Sequence, residues 1–309
     1  MTEIKTIAVI GAGIMGHGIA LEFAEAGYAV HLTDASADAL AGAEKAVRET
    51  LAARGTNPQA IHNVACTTSL KEAVLQADLV IEAVSERLPL KEQIFGELER
   101  LTPPHAILAS NSSSFMPSQM ATFTKRPDKV LVTHYFNPPH VAPLVEVVRG
   151  PETSQATVDT VKRMYDDMGK IPVVVEKERL GFIGNRLQMA LFREALALVS
   201  DGVCSIEDLD TVIHSSIGRR WSVAGVFEVF DLAGLDTVLA VSRALMPDLS
   251  AAAGPPEWFV EMVEGGNLGV KSGSGFYEWP EEHTTEARAR IRQGLQQGGK
   301  SGASMPGRS

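Results

Sequence analysis

The chain has 309 residues, 45% of them apolar and 21% charged, with a formal net charge of −10 from 28 basic and 38 acidic side chains. That length suits two domains of ordinary size, and the mix is that of a globular protein. An acidic chain without a basic stripe argues against nucleic acid as a main partner and against docking on an anionic membrane.

Met1 to Ile10 reads as a strand rather than a leader, and no apolar run reaches membrane-spanning length. Cys66 and Cys204 lie far apart and make no metal motif; they read as small hydrophobes in a reducing compartment, so the expected location is cytoplasmic.

The elements follow in order. Lys5 to Ile10 is a short strand and Met15 to Glu25 a helix closed by Gly27. Tyr28 to Leu32 is a second strand, and Ala37 to Arg54 a helix stopped by Gly55 and Asn57-Pro58. Val64 to Thr67 is a strand and Leu70 to Gln76 a turn or two of helix. Asp78 to Val84 is a buried strand with polar ends. Pro89 starts a helix to about Leu101, and Ile107 to Ser110 is the next strand. Strands alternating with helices at this spacing predict a parallel sheet covered on both faces. The alternation then loosens: Val130 to Thr133, Leu144 to Val148 and Ile171 to Val175 are strand candidates, with a helix from Thr153 to Met168. After Gly181 only helices follow. Asn185 to Val199 carries an apolar stripe of period 3.6, Ser205 and Asp208 fit a capping box, and Gly234 to Arg243 and Glu257 to Glu264 are helical. The expected architecture is α/β: a Rossmann-like N-terminal domain with a mostly parallel sheet (1–180), an all-helical C-terminal domain (181–296), and a disordered tail (297–309) rich in Gly and Ser.

The first strand runs straight into Gly11-Ala12-Gly13-Ile14-Met15-Gly16, which runs straight into a helix. Gly11 permits the tight turn, Gly13 lets a pyrophosphate approach the backbone, and Gly16 lets helix and strand pack closely. Free amides at the helix start face the phosphates. Asp34 follows the second strand. A carboxylate there accepts both adenosine ribose hydroxyls and repels a 2′-phosphate, which favours NAD over NADP. The same fingerprint serves FAD, but the helical second domain lacks a flavin-enclosing α/β half.

A nicotinamide enzyme needs a base near the carbon that gives up hydride. His134 ends one strand candidate, and Glu146 sits twelve residues on, inside the run Leu144 to Val148. If the two strands are neighbours, the carboxylate fixes one ring nitrogen and the other takes a hydroxyl proton. Otherwise they are a structural histidine and a strand-edge glutamate. Ser110 to Ser114 follows a strand end, where hydroxyls hold substrate or ribose oxygens, or simply cap a helix. Asn185 lies where the first domain passes into the second.

On these residues the chain resembles the 3-hydroxyacyl-CoA dehydrogenase family, including its lambda-crystallin/L-gulonate 3-dehydrogenase branch. The matching stretches are IGAGIMG (10–16), DLVIEAV (78–84), SNSSS (110–114), HYFNPP (134–139), PLVEV (143–147), GFIGNRL (181–187), DLAGLD (231–236) and KSGSGFY (271–277). The resemblance implies a catalytic dyad of His134 and Glu146, with Ser113 and Asn185 near the reacting oxygen. It implies NAD contacts from Gly11, Gly13, Ile14, Met15, Gly16, Asp34 and Asn111, with Glu82, Glu86 and Lys91 on the nicotinamide side. It also implies a homodimer through the C-terminal domain.

Two departures bear on the substrate. Acyl-CoA members carry a lysine-rich helical hairpin after the second strand, whereas residues 45–63 here hold only Lys45, Arg48 and Arg54 as Lys or Arg. The second domain also carries Arg219-Arg220, and the branch acting on free hydroxy acids has a basic residue at the place matching Arg220. A guanidinium suits a free carboxylate. Spacing alone does not choose between Arg219 and Arg220, and a surface arginine pair is the plainer reading. The expected activity is NAD-dependent oxidation of the C3 hydroxyl of a small hydroxycarboxylic acid of the L-gulonate type. The alternatives are a short-chain 3-hydroxyacyl-CoA dehydrogenase and a non-catalytic, NAD-binding structural protein.

Overall fold

Strand alternation builds the first unit. In the structure, a computed structural model describing residues 3–298, β1 (Thr6–Ile10) sends Ile7 and Val9 to one face and Ala8 and Ile10 to the other. The first face is covered by α1 (Ile14–Glu25) and α2 (Ala37–Arg54), the second by α3 (Leu70–Val74) and α4 (Leu88–Leu101). Between them run β2 (Ala29–Thr33), β3 (Val64–Thr67) and β4 (Leu79–Glu82). Then come β5 (Ile107–Ser110), α5 (Pro117–Ala121), β6 (Val130–Tyr135), β7 (Leu144–Arg149), α6 (Gln155–Asp167) and β8 (Ile171–Val175).

The sheet order is β3-β2-β1-β4-β5-β6-β7-β8. Pairing is parallel from β3 through β6, antiparallel between β6 and β7, and parallel again between β7 and β8. Ile19 and Phe23 of α1 and Val158 and Val161 of α6 share one core cluster with Ile7 and Val9. Phe95 and Leu98 of α4 and Met120 of α5 share the other with Ala8 and Val80. Local chemistry sets the helix ends: Ser36 accepts from the Ala39 amide to open α2, and Gly55, left-handed, closes it.

The strand expected over Val130 to Thr133 extends through Tyr135, which brings His134 inside the sheet. Its partner residue in the antiparallel register is Glu146.

Contacts within the chain divide between Arg186 and Leu187. The start of α7 (Gly184–Ser200) belongs to the first unit, where the amides of Ile183 and Gly184 bond to Glu146, as described below. The second unit is helical: the rest of α7, α8 (Ile206–Val212), a π-helical turn over Ile213–Ile217, α9 (Gly218–Trp221), α10 (Val226–Ala233), α11 (Leu235–Leu245), α12 (Glu257–Glu264) and α13 (Glu281–Gly298). Its interior is aromatic, with Phe259 stacked on Phe276 and Phe192 and Trp258 set edgewise around them. The helices α5, α10 and α13 were not expected from sequence. Of the tail expected to be disordered, residues 297 and 298 end α13 and 299–309 lie outside the described residues. No described helix is long and apolar enough to cross a membrane.

Candidate active site

The carboxyl ends of β1, β4, β5 and β6 deliver Gly11, Glu82, Ser110 and His134 to one edge of the sheet, the edge where parallel α/β sheets bind ligands.

The turn after β1 needs its glycines. Gly11 has φ +101°, and a Cβ there would meet the Ala83 carbonyl oxygen at 2.6 Å. A Cβ on Gly16 would overlap the Gly11 carbonyl. A Cβ on Gly13 would meet nothing within 4 Å, so the space before that backbone is open. Gly13 is also the N-cap of α1 and supplies no side chain, which leaves the first amides of the helix for an anion. Ile14 is 68% exposed and Met15 half-buried at the same turn. Asp34 is locked to this turn: one carboxylate oxygen accepts from the Ala12 amide and the other from the Ser36 amide, each at 2.9 Å. A dinucleotide fits this set: open backbone at Gly13, free helix amides, and a carboxylate held beside the turn by the Ala12 amide.

His134 and Glu146 meet. Nδ1 of the imidazole lies 2.8 Å from one Glu146 oxygen, and the residues are 5% and 1% exposed. The other Glu146 oxygen accepts from the amides of Ile183 and Gly184, each at 2.9 Å. Burial pushes the Glu146 carboxyl up, but the bonds from His134, Gly184 and Ile183 outweigh it and hold its pKa below the usual value. A carboxylate at Nδ1 keeps the proton there and leaves the Nε2 lone pair free to accept one. The imidazole packs between Phe136, centroid 5.0 Å away, and Phe182 at 5.4 Å.

Glu86 gathers the serine loop. One of its oxygens accepts from the hydroxyls of Ser112 (2.5 Å) and Ser114 (2.7 Å) and from the amides of Ser113 (3.1 Å) and Ser114 (3.0 Å). The other lies 3.2 Å from the Lys91 ammonium. Burial alone would raise the Glu86 pKa; the bonds from Ser112 and Ser114 and the charge of Lys91 lower it overall. Ser113, whose amide is so held, is exposed, and its hydroxyl makes no hydrogen bond to the described protein atoms.

Sequence reasoning expected Glu82, Glu86 and Lys91 alike to line the nicotinamide side. The structure brings them together, with the Lys91 ammonium against both carboxylates. Glu82 and Lys91 are buried and bond to each other through both carboxylate oxygens at 2.8 Å. Glu82 also accepts from Ser110 and from the Val84 amide. Only Glu86 of the three keeps side-chain surface. Asn111, expected at the cofactor, turns its side-chain oxygen to the Tyr135 amide at 3.0 Å and so ties β5 to β6. Asn185 is half-buried in the first turn of α7, beside the amides that hold Glu146. Arg219 and Arg220 are exposed on α9 in the second unit, with no ion pair among the described residues. Within the Ser110–Ser114 stretch that the sequence singles out, Ser112 is the buried hydroxyl bonded to Glu86; the Ile183–Gly184 amides were missed.

Family models match nearly the whole chain: the 3-hydroxyacyl-CoA dehydrogenase NAD binding domain over residues 6–179 and the 3-hydroxyacyl-CoA dehydrogenase C-terminal domain over 181–279. The chain is 36% identical to a 5-formyl-3-hydroxy-2-methylpyridine 4-carboxylate 5-dehydrogenase of Mesorhizobium japonicum, over 93% of this chain and 94% of that one. A crystal structure of an enzyme of that description superposes with a TM-score of 0.89 at 33% identity, covering 95% and 97% of the two chains. It is also 36% identical to a probable 3-hydroxybutyryl-CoA dehydrogenase of Bacillus subtilis, over 91% and 99% of the chains. An L-carnitine dehydrogenase of Streptomyces griseus is 37% identical over 75% of this chain and 70% of its own. The chain belongs to the 3-hydroxyacyl-CoA dehydrogenase family and is an NAD-dependent oxidoreductase acting on a hydroxyl-bearing small molecule.

Proposed function

We propose that this enzyme oxidises the C3 hydroxyl of a small free hydroxycarboxylic acid of the L-gulonate type, with His134 as the base. The observation that carries the chemistry is the buried His134–Glu146 pair at the sheet edge that also bears the glycine turn. Gly11, Gly13, Ile14, Met15, Gly16 and Asp34 hold NAD, which when bound supplies the hydride acceptor. His134 accepts the substrate's hydroxyl proton at Nε2. Glu146 fixes the ring through Nδ1 and stabilises the imidazolium that forms. Ser113, its amide held by Glu86, and Asn185 bind the reacting oxygen and fix which face of C3 is presented.

The free-acid reading is supported by what the basic residues after β2 do. Lys45 pairs with Glu49 (3.8 Å), Arg48 with Glu44 (2.7 Å) and Arg54 with Glu25 (2.7 Å), so each cation of that stretch has a carboxylate beside it. A surface for the phosphates of CoA calls for unpaired cations. Arg220, or Arg219, is proposed to clamp the substrate carboxylate. The carnitine and pyridine-carboxylate relatives act, by their names, on molecules that are not thioesters; a hydrated aldehyde presents the same hydroxyl to a base.

The second reading, a short-chain 3-hydroxyacyl-CoA dehydrogenase, is favoured by the Bacillus relative matched over 99% of its length. Parallel assays of L-gulonate, 3-hydroxybutyrate and 3-hydroxybutyryl-CoA, reading NADH formation, separate the two. Turnover of a free acid, lost in Arg220→Met, is expected. Turnover confined to the thioester overturns the free-acid reading.

We propose, too, that the chain forms a homodimer through its second unit. That unit leaves Phe227 88% exposed, with Leu232, Leu235 and Leu239 also open, while only Leu196 and Ala287 are buried hydrophobics among its described residues.

A further inference from the structure

The chain between His134 and Glu146 does not turn tightly. After β6 it runs through Phe136 to Pro143 before β7 begins. Pro139, buried, rests on α1: a Cβ on Gly18 would stand 2.5 Å from its Cγ. The Lys170 side chain enters the same region from the turn before β8 and is 7% exposed. Its ammonium donates to the carbonyls of Pro139 (2.8 Å) and Ala142 (3.2 Å) and pairs with Glu22 of α1. It also lies 6.0 Å from the centroid of the Tyr135 ring, and Tyr135 bonds through its hydroxyl to Tyr165 of α6 at 3.0 Å. An ammonium has three protons to donate, and two carbonyls and one carboxylate take them.

A buried ion pair is weak evidence for stability, because desolvation offsets most of the attraction. This one has a geometry that burial alone does not require. It joins three separate segments: the helix that starts at the dinucleotide turn, the loop between the dyad strands, and the entry to β8. The loop in turn touches the base. Phe136, its first residue, packs against the His134 imidazole and fills the space beside Gly184, where a Cβ would overlap its ring.

We propose that Lys170 is a positioning residue, whose ammonium clamps the 136–143 loop to α1 and thereby sets the His134 ring relative to the cofactor turn. What His134 does in the reaction rests on the function proposed above; the clamp does not. Its partners come from α1 and the 136–143 loop, far from Lys170 in the chain, so only the fold reveals them.

Lys170→Met keeps the length and removes the charge. Three readouts test it: hydrogen exchange of the 136–143 amides, the His134 ring resonance (assigned by its loss in His134→Gln), and steady-state kinetics with NAD affinity measured separately. Faster exchange in the loop and a shifted His134 resonance are expected, with kcat lower by roughly tenfold to a hundredfold and the NAD dissociation constant within about threefold of wild type, since a misplacement of about an ångström costs on that order. Glu22→Gln, which keeps the ammonium and both carbonyls, moves all readouts the same way by less. Unchanged exchange and an unchanged resonance overturn the clamp. A loosened loop with kcat unchanged, or a lower Tm alone, overturns its bearing on the base. A wild-type enzyme that turned over no hydroxy acid would count against the proposed function, while exchange and the resonance would still decide the clamp.

Discussion

Glu146 gives its two oxygens to different partners, one to the base and one to the amides of Ile183 and Gly184 where α7 begins. The helix start therefore stabilises the carboxylate that stabilises the imidazole. Glu86 is held in the same manner by hydroxyls, amides and Lys91. Both carboxyls have folded-state pKa values below their unfolded ones. A group depressed on folding contributes stability above its unfolded pKa, and that contribution is lost as pH falls through the folded value. The Tm of the wild type should therefore fall as pH drops below about 4.3, the unfolded glutamate value, and the Glu86→Gln variant should show a shallower acid limb. Calorimetry from pH near neutral down to acid checks this; an acid limb as steep in the variant removes Glu86 from the account. The candidate residues were readable in sequence, the glycine turn and Asp34 by type and spacing, His134 and Glu146 through the family resemblance, since spacing alone left a structural histidine and a strand-edge glutamate open. The partners were not. Nothing local marks Glu82 as fully buried or Asn111 as bonding back to the Tyr135 amide, since both follow from strands far apart in the chain.

At the scale of elements, the Glu82–Lys91 pair joins the end of β4 to α4, and Ser110 adds the end of β5. Lys91→Met leaves a buried carboxylate without its cation and should destabilise the protein by about 3–5 kcal/mol, while Lys91→Met with Glu82→Leu recovers part of that loss. Urea unfolding of both variants checks it, and a double variant less stable than the single one contradicts the pairing argument. The antiparallel pairing of β6 with β7 was the element least visible in sequence. Periodicity marked both strands, and the eight residues between them are too few for the crossover that parallel neighbours need, but that the two strands are neighbours at all is set by the whole sheet and not by anything local. The polar helix α13 escaped for a different reason: its sequence has no strong apolar stripe, and helix pattern reading depends on one.

At the scale of the whole molecule, two units were legible from the switch between alternating strands and helices and helices alone. The residues after Gly181 serve Glu146, through the Ile183 and Gly184 amides, before contacts pass to the second unit at Leu187. The exposed apolar side chains of that second unit predict a dimer, and sedimentation equilibrium at micromolar concentration reads it directly; a monomer there removes the proposal. The central claim concerns the base. Wild type and His134→Gln should be compared at saturating NAD with the preferred hydroxy acid, and NAD affinity measured alongside by calorimetry. The account predicts kcat lower by about 10²–10⁴ in the variant, the usual worth of a positioned acid–base group, with NAD affinity within about threefold. A His134→Gln enzyme that kept most of its kcat would contradict it.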